Sequence, residues 1–148
     1  MQVRVLNHIA VTVSDTQRSL DFYVVKLGLV QVEQHQLPKS SIDAVFGLTG
    51  ASGTSTRLQV PGQPDILIDI MEILGAEAGT VVQPLGSIGS THMAFTVDNL
   101  DEAVAELKAK GVSFISEPVT FHLTEGSVTV CFMHDPDGNY VELEEVHA

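Results

Sequence analysis

Two stretches of the chain alternate between apolar and polar positions in the same way. Asn7-His8-Ile9-Ala10-Val11-Thr12-Val13-Ser14-Asp15 reads against Thr91-His92-Met93-Ala94-Phe95-Thr96-Val97-Asp98-Asn99, with the histidines 84 residues apart. Successive side chains of a strand point to opposite faces, so each stretch predicts a β-strand with one oily face and one smaller, more polar face carrying His, Ala and Thr. A helical pattern follows each strand. In the first copy Ser14 or Asp15 caps, Leu20, Tyr23, Val24 and Leu27 form an i, i+3, i+4, i+7 stripe, and Gly28 ends it. In the second, Asp98 or Asn99 caps, Leu100, Ala103, Val104 and Leu107 form the stripe, and Gly111 stops it.

Strand-like runs come after each helix: Leu29–Gln36, a less regular stretch around Asp43–Leu48, Thr54–Val60 and Asp65–Leu74 in the first copy, then Val112–Ser116, Ser127–His134 and Asn139–Val146 in the second. Gly75–Ser90 is rich in Gly, Ser and Ala and reads as a linker. The pattern predicts an α+β fold of two tandem βαβββ modules, 1–74 and 91–148, joined by residues 75–90 into one domain. A half of about 70 residues buries little core alone, so the two sheets are expected to pair and form a cup-shaped cavity. The Val45–Gly53 stretch, with its Gly and Ser, is expected as a flexible rim over that cup.

Parity then sorts the polar groups. On the last strand of the first copy Ile66, Ile68 and Ile70 form the oily row, which leaves Leu67, Asp69 and Met71 opposite. On the last strand of the second, Val141 and Leu143 are oily, and Tyr140, Glu142 and Glu144 face away from them. His8, Asp69, His92 and Glu142 thus occupy equivalent positions on the face turned from the helices. One strand histidine or one strand acid is ordinarily a structural or solvated residue. Two of each, repeated at matching parity, suit a divalent first-row metal with open positions, and such an ion offsets the cost of burying two carboxylates. Glu72 has the wrong parity to join them.

Composition narrows the classes of function. Seven basic against 19 acidic side chains give a net charge of −12, and the acids crowd toward the C-terminus around Asp135, Asp137, Glu142, Glu144 and Glu145. That balance argues against a nucleic-acid or anionic-membrane partner, because phosphate binding needs clustered Lys and Arg. An apolar fraction of 44% with 18% charged is ordinary for a folded chain. Cys131 is the only cysteine, which excludes an internal disulfide and a Cys-rich zinc site; it reads as a core thiol. No apolar run approaches the roughly 20 residues that span a bilayer, and the N-terminus has no secretory pattern, so a cytoplasmic location is expected. His134 and Asp135 are read as shaping the turn before the last strand, and His35 and His147 as exposed. Met71 and Phe46 are read as lining the cup or the core.

The chain resembles the vicinal oxygen chelate superfamily, which groups glyoxalase I, methylmalonyl-CoA epimerase, extradiol dioxygenases and the fosfomycin and bleomycin resistance proteins. The carriers are His8-Ile-Ala-Val-Thr-Val, Phe22-Tyr-Val-Val-Lys-Leu-Gly28-Leu29, His92-Met-Ala-Phe-Thr-Val-Asp98 and His134-Asp-Pro-Asp-Gly-Asn-Tyr-Val-Glu142-Leu. Leu37–Gly62 matches only loosely. The resemblance implies one divalent ion (Zn, Ni, Co, Mn or Fe) on His8, Asp69, His92 and Glu142, with Asp69 a departure because the family often has Glu or Gln there. It implies a lyase or isomerase that handles a small carbonyl substrate through a metal-stabilised enediolate, with Glu142 as first and Asp69 as second choice of base. The first alternative is an iron(II) ring-cleaving dioxygenase using His8, His92 and Glu142, with Tyr140 and the loop residue His122 near the oxygen. The second is a binding protein without chemistry. Scarce Lys and Arg, with Arg57 the only candidate in the strand region, favour a weakly charged carbonyl or aromatic small molecule over a phosphonate or a CoA thioester. A homodimer is expected by resemblance.

Overall fold

A computed structural model of the chain describes residues 2–75 and 82–147. The chain divides into two compact units, Met1–Thr80 and Val81–Ala148. Of the stretch read as a linker, residues 76–81 lie outside the described residues. The part that follows is turned back on itself, with the Ser87 N–H donating to the Pro84 carbonyl (3.0 Å) and the Ser90 N–H to the Ser87 carbonyl (3.1 Å).

The first unit runs β1 (His8–Val13), α1 (Thr16–Leu20), a wider π-type turn (Asp21–Lys26), β2 (Val30–Leu37), α2 (Lys39–Phe46), β3 (Ser52–Val60) and β4 (Gln63–Leu74). The second runs β5 (His92–Thr96), α3 (Leu100–Ala109), β6 (Val119–His122), β7 (Ser127–His134) and β8 (Tyr140–His147). Their sheets have the same topology, β1-β4-β3-β2 and β5-β8-β7-β6. In each the first strand lies parallel to the last and the other neighbours are antiparallel. Each unit is therefore βαβββ, with α2 added in the first.

The helices start where the sequence pattern places them. Asp15 accepts the Arg18 N–H (2.8 Å) and Asn99 accepts the Glu102 N–H (3.0 Å), so those two residues, not Ser14 and Asp98, are the caps. A second acid closes each start. Glu72 Oε2 accepts the Thr16 N–H (3.0 Å) and hydroxyl (2.6 Å), and Glu145 Oε2 accepts the Leu100 N–H (2.8 Å). These two glutamates stand 73 residues apart in the sequence, as do Asp69 and Glu142. Carboxylates at a helix start satisfy orphan N–H groups and complement the dipole. Gly28 and Gly111 end the helical segments at φ +82 and +81, a conformation that only glycine adopts cheaply.

Several expectations are corrected. After Leu20 the helix widens, with the Leu27 N–H reaching back to the Phe22 carbonyl (3.0 Å). The widened turn rotates the apolar face, so Phe22 and Tyr23 are buried with their rings edge to face at 5.0 Å, whereas Val24 and Leu27 are half-exposed. Asp43–Leu48 is not a strand but falls in and just beyond α2. Pro38 is extended before it (φ −62, ψ 141), Ile42 is its one buried residue, and Gly47 ends it in the left-handed region at φ +68. Within the Val45–Gly53 stretch the Asp43 carboxylate accepts the Gly50 and Ala51 N–H groups at 2.9 and 3.0 Å, and Ala51 is fully buried. Val112–Ser116 forms no strand beyond a bridge from Phe114 to Met133, and the strand beside β7 is Val119–His122, paired with residues 127–130. His122 therefore ends a strand instead of lying in a loop. Four residues with both apolar side chains half-exposed leave no oily row to read from the sequence. Phe46 is also half-exposed.

Buried apolar rows lie on the helix side of each sheet: Leu58, Ile68 and Ile70 in the first unit, and Cys131, Met133, Val141 and Leu143 in the second, against Leu100, Val104 and Leu107 of α3. The rows fray at their ends, where Ile9 and Ile66 are exposed. No helix among the described residues is long and apolar enough to cross a membrane. Truncating Ile70 or Met133 to Ala is expected to cost about 2–5 kcal/mol in urea unfolding. Burial pushes the Cys131 thiol up to about 11. The native protein at pH 8 should therefore react slowly with a thiol reagent and yield one thiol per chain once denatured; immediate labelling of the native protein would contradict the packing.

Candidate functional site

In the second unit β5 and β8 run parallel with His92 opposite Tyr140 and Ala94 opposite Glu142, which sets the imidazole beside the carboxylate. His92 Nε2 and Glu142 Oε2 are 3.0 Å apart. On the other flank of Glu142 stands Phe132 of β7, whose ring also meets the His92 ring edge-on at 5.2 Å. The imidazole is 42% exposed and the carboxylate 12%. Burial raises the Glu142 carboxyl above its ordinary value and Glu144 adds to this, while His92 pulls the other way.

Tyr140 packs its ring against His134 at 4.8 Å, and His134 Nδ1 donates to the Gly138 carbonyl (2.9 Å). Asp135 holds the intervening turn by accepting the Asp137 and Asn139 N–H groups (2.9 and 2.8 Å) and the Asn139 side-chain amide (2.9 Å). His134 and Asp135 thus shape the turn that delivers Tyr140 and Glu142, as their positions predict. His147 keeps a partly exposed side chain, 41%, with Nε2 at 2.9 Å from the Thr129 hydroxyl.

In the first unit His8 pairs with Leu67 and Ala10 with Asp69, so His8 and Asp69 meet on a diagonal, His8 Nε2 lying 4.0 Å from Asp69 Oδ2. The His8 Nδ1 donates to the Asn7 side-chain oxygen at 2.9 Å, which leaves Nε2 on the side of Asp69. Asp69 is buried and has other partners. Arg57 Nε donates to Oδ1 at 3.0 Å and the Ser55 hydroxyl to Oδ2 at 3.3 Å. Arg57 Nη1 donates to Glu33 Oε1 at 2.6 Å, and His35 Nε2 lies 3.0 Å from Glu33 Oε2. Glu33 foremost, and Asp69 with it, hold the guanidinium's proton more tightly than usual; Arg57 and His35 in turn hold the Glu33 carboxyl below its ordinary range.

The two sheets therefore present one His/acid pair each, with unequal surroundings. The row Ala10–Asp69–Arg57–Glu33 in the first corresponds to Ala94–Glu142–Phe132 in the second. Arginine flanks one acid and phenylalanine the other. Glu33 went unrecognised in the sequence because a bulge between Gln31 and Glu33 shifts the alternation of β2 and turns Glu33 to the side of Arg57. His35 is exposed as expected, yet it completes this row. Glu72 lies on the helix side, as its parity requires.

Two donors that each lie about 2.1 Å from one ion stand roughly 3.0–3.4 Å apart. The 3.0 Å between His92 Nε2 and Glu142 Oε2 fits two positions of one coordination shell. In the first sheet His8 Nε2 is the ring nitrogen that Asn7 does not engage. The 4.0 Å to Asp69 does not fit, and the guanidinium beside that carboxylate repels a cation. Among the described residues no three or more His, Cys, Asp or Glu side chains are gathered into a metal cluster.

A raised carboxyl binds its proton more tightly in the folded than in the unfolded chain. What Glu142 contributes to stability is thus present below the ordinary carboxyl range and is lost as pH rises through its folded value. In metal-free protein the stability of Glu142→Gln relative to wild type is expected to improve from pH about 4 to about 7. Urea midpoints across that range that move in parallel would contradict the assignment.

The model of the Glyoxalase/Bleomycin resistance protein/Dioxygenase superfamily matches residues 5–143. The lactoylglutathione lyase of Schizosaccharomyces pombe is 28% identical over 146 residues, 93% of this chain, and the chain spans about half of that enzyme (46%). The human mitochondrial methylmalonyl-CoA epimerase is 29% identical over 144 residues, covering 95% of this chain and 73% of the enzyme. Among solved structures, a glyoxalase family protein from Bacillus cereus superimposes with a TM-score of 0.85 at 19% identity, over 100% of this chain and 97% of the other, which shows a shared fold. With nearly its whole length matched and both sheets in the expected topology, the chain belongs to the glyoxalase/bleomycin resistance protein/dioxygenase superfamily.

Proposed function

We propose that the protein is a metal-dependent lyase or isomerase that moves a proton on the carbon beside a carbonyl of a small substrate, with His92 and Glu142 of the second sheet as metal ligands. The observation that carries this reading is the His92–Glu142 pair, two donors at ligand spacing, with the imidazole open to solvent and the carboxylate set against Phe132. The similarity to a lactoylglutathione lyase and a methylmalonyl-CoA epimerase supports the same class, because a lyase and an epimerase of such acyl compounds both require that proton to leave. The ion, when bound, supplies a Lewis acid that polarises the carbonyl.

Glu142 is the proton acceptor. The carboxylate is 12% exposed and flanked by the Phe132 ring, a setting in which it can take a proton from a bound substrate. His92 stands beside it, Nε2 at 3.0 Å, as the second ligand. Tyr140, two residues before Glu142 on the same face, is the next side chain a substrate meets.

Protein prepared without chelator should carry one divalent ion per chain by elemental analysis, and His92→Ala should lose it. In D2O, lactoyl or methylmalonyl thioesters should take up deuterium beside the carbonyl, and Glu142→Gln should slow this about 10²–10⁴-fold. A wild-type protein that binds no divalent ion after reconstitution and exchanges no proton would overturn the reading in favour of a small-molecule binding protein.

A further inference from the structure

The acid that occupies in the first sheet the place of Glu142 in the second is already engaged. Asp69 is 5% exposed and has both oxygens in hydrogen bonds, one from Arg57 Nε at 3.0 Å and one from the Ser55 hydroxyl at 3.3 Å. Its separation from His8 Nε2, 4.0 Å, exceeds either. Arg57 is the only Lys or Arg in any strand of either sheet. Its other arm is fixed at 2.6 Å to Glu33, and Glu33 is held at 3.0 Å by His35. Charge alternates along this row from β2 through β3 to β4, so each member is stabilised by its neighbours.

A divalent ion that took Asp69 as a ligand would have to draw it away from the guanidinium. That would break a charge-assisted hydrogen bond and set the ion beside a fixed positive charge. Phe132 imposes no such cost at the corresponding place in the second sheet. The difference between the two sheets is therefore chemical, one acid committed to an internal cation and the other open to an outside one.

We propose that Asp69 is the counter-ion of Arg57 and stays outside the metal's ligand set, and that Arg57 is the positioning residue that keeps it there. This rests on the metal-dependent reading. Arg57 accordingly limits metal affinity: it withholds a carboxylate that a less constrained site would use.

Two measurements on the full chain test it. In chelator-treated protein, Arg57→Gln and Asp69→Asn should each lower the urea midpoint, and the double variant should fall by less than their sum. In zinc titrations against a chromogenic chelator, Asp69→Asn should stay within about tenfold of wild type while His92→Ala weakens binding by more than about 100-fold. Arg57→Gln should bind zinc more tightly than wild type, because Asp69 is released, and Asp69→Asn in that background should abolish the gain; Arg57→Lys, which keeps the charge, should not show it. Additive unfolding effects, or an Asp69→Asn loss as large as that of His92→Ala, would overturn the proposal. A wild-type protein that takes up no zinc defeats the metal-dependent reading, and the unfolding cycle then judges the Arg57–Asp69 pair by itself.

Discussion

A carboxylate taken off water needs a partner, because a buried, unpaired charge costs several kcal/mol. Each sheet places one such acid on its last strand, beside the histidine of its first strand, and the two are balanced differently. Asp69 is balanced from within, by Arg57 and the Ser55 hydroxyl. Among the described residues Glu142 has His92 as its close polar partner, with Phe132 on its other side. The first arrangement is closed and the second is open to a ligand. The reading of the site follows from that contrast.

The same strands carry a second acid with a separate task. Glu72 and Glu145 lie three residues beyond Asp69 and Glu142, on the opposite face, where they receive the first N–H groups of the helices that follow β1 and β5. The alternation of a strand keeps the two tasks apart, since a separation of three residues always changes face. One acid of each strand anchors the helix to the sheet, and the other stays on the site face. Substituting the capping acid is thus a question of stability, whereas substituting the site acid is a question of charge and ligand.

Much of this was legible in the sequence. Repetition of His-x-Ala-x-Thr identified both first strands, and parity placed His8, Asp69, His92 and Glu142 on the site face and Glu72 away from it. Three features were not legible. The π-type turn that brings Phe22 inward breaks the 3.6-residue period that a stripe is read from. Edge strand β6 is four residues long and half-exposed, so it has no buried row to reveal it. Above all, Glu33 and Arg57 reach Asp69 only through register, and the bulge in β2 that turns Glu33 to that side follows from pairing with β3, not from local pattern. The motif located the acid, and only the folded sheet showed what that acid is bonded to.

The proposed division gives Asp69 to the Arg57 guanidinium and Glu142 to an added divalent ion. It is tested most directly by following the side-chain nitrogen signals of Arg57 and His92 by NMR as zinc is added to metal-free protein. The His92 ring nitrogen is expected to shift on zinc uptake while the Arg57 Nε–H signal keeps its position and its protection from exchange. Loss or displacement of the Arg57 Nε–H signal in step with zinc uptake would show Asp69 leaving its arginine for the ion, and would contradict the account.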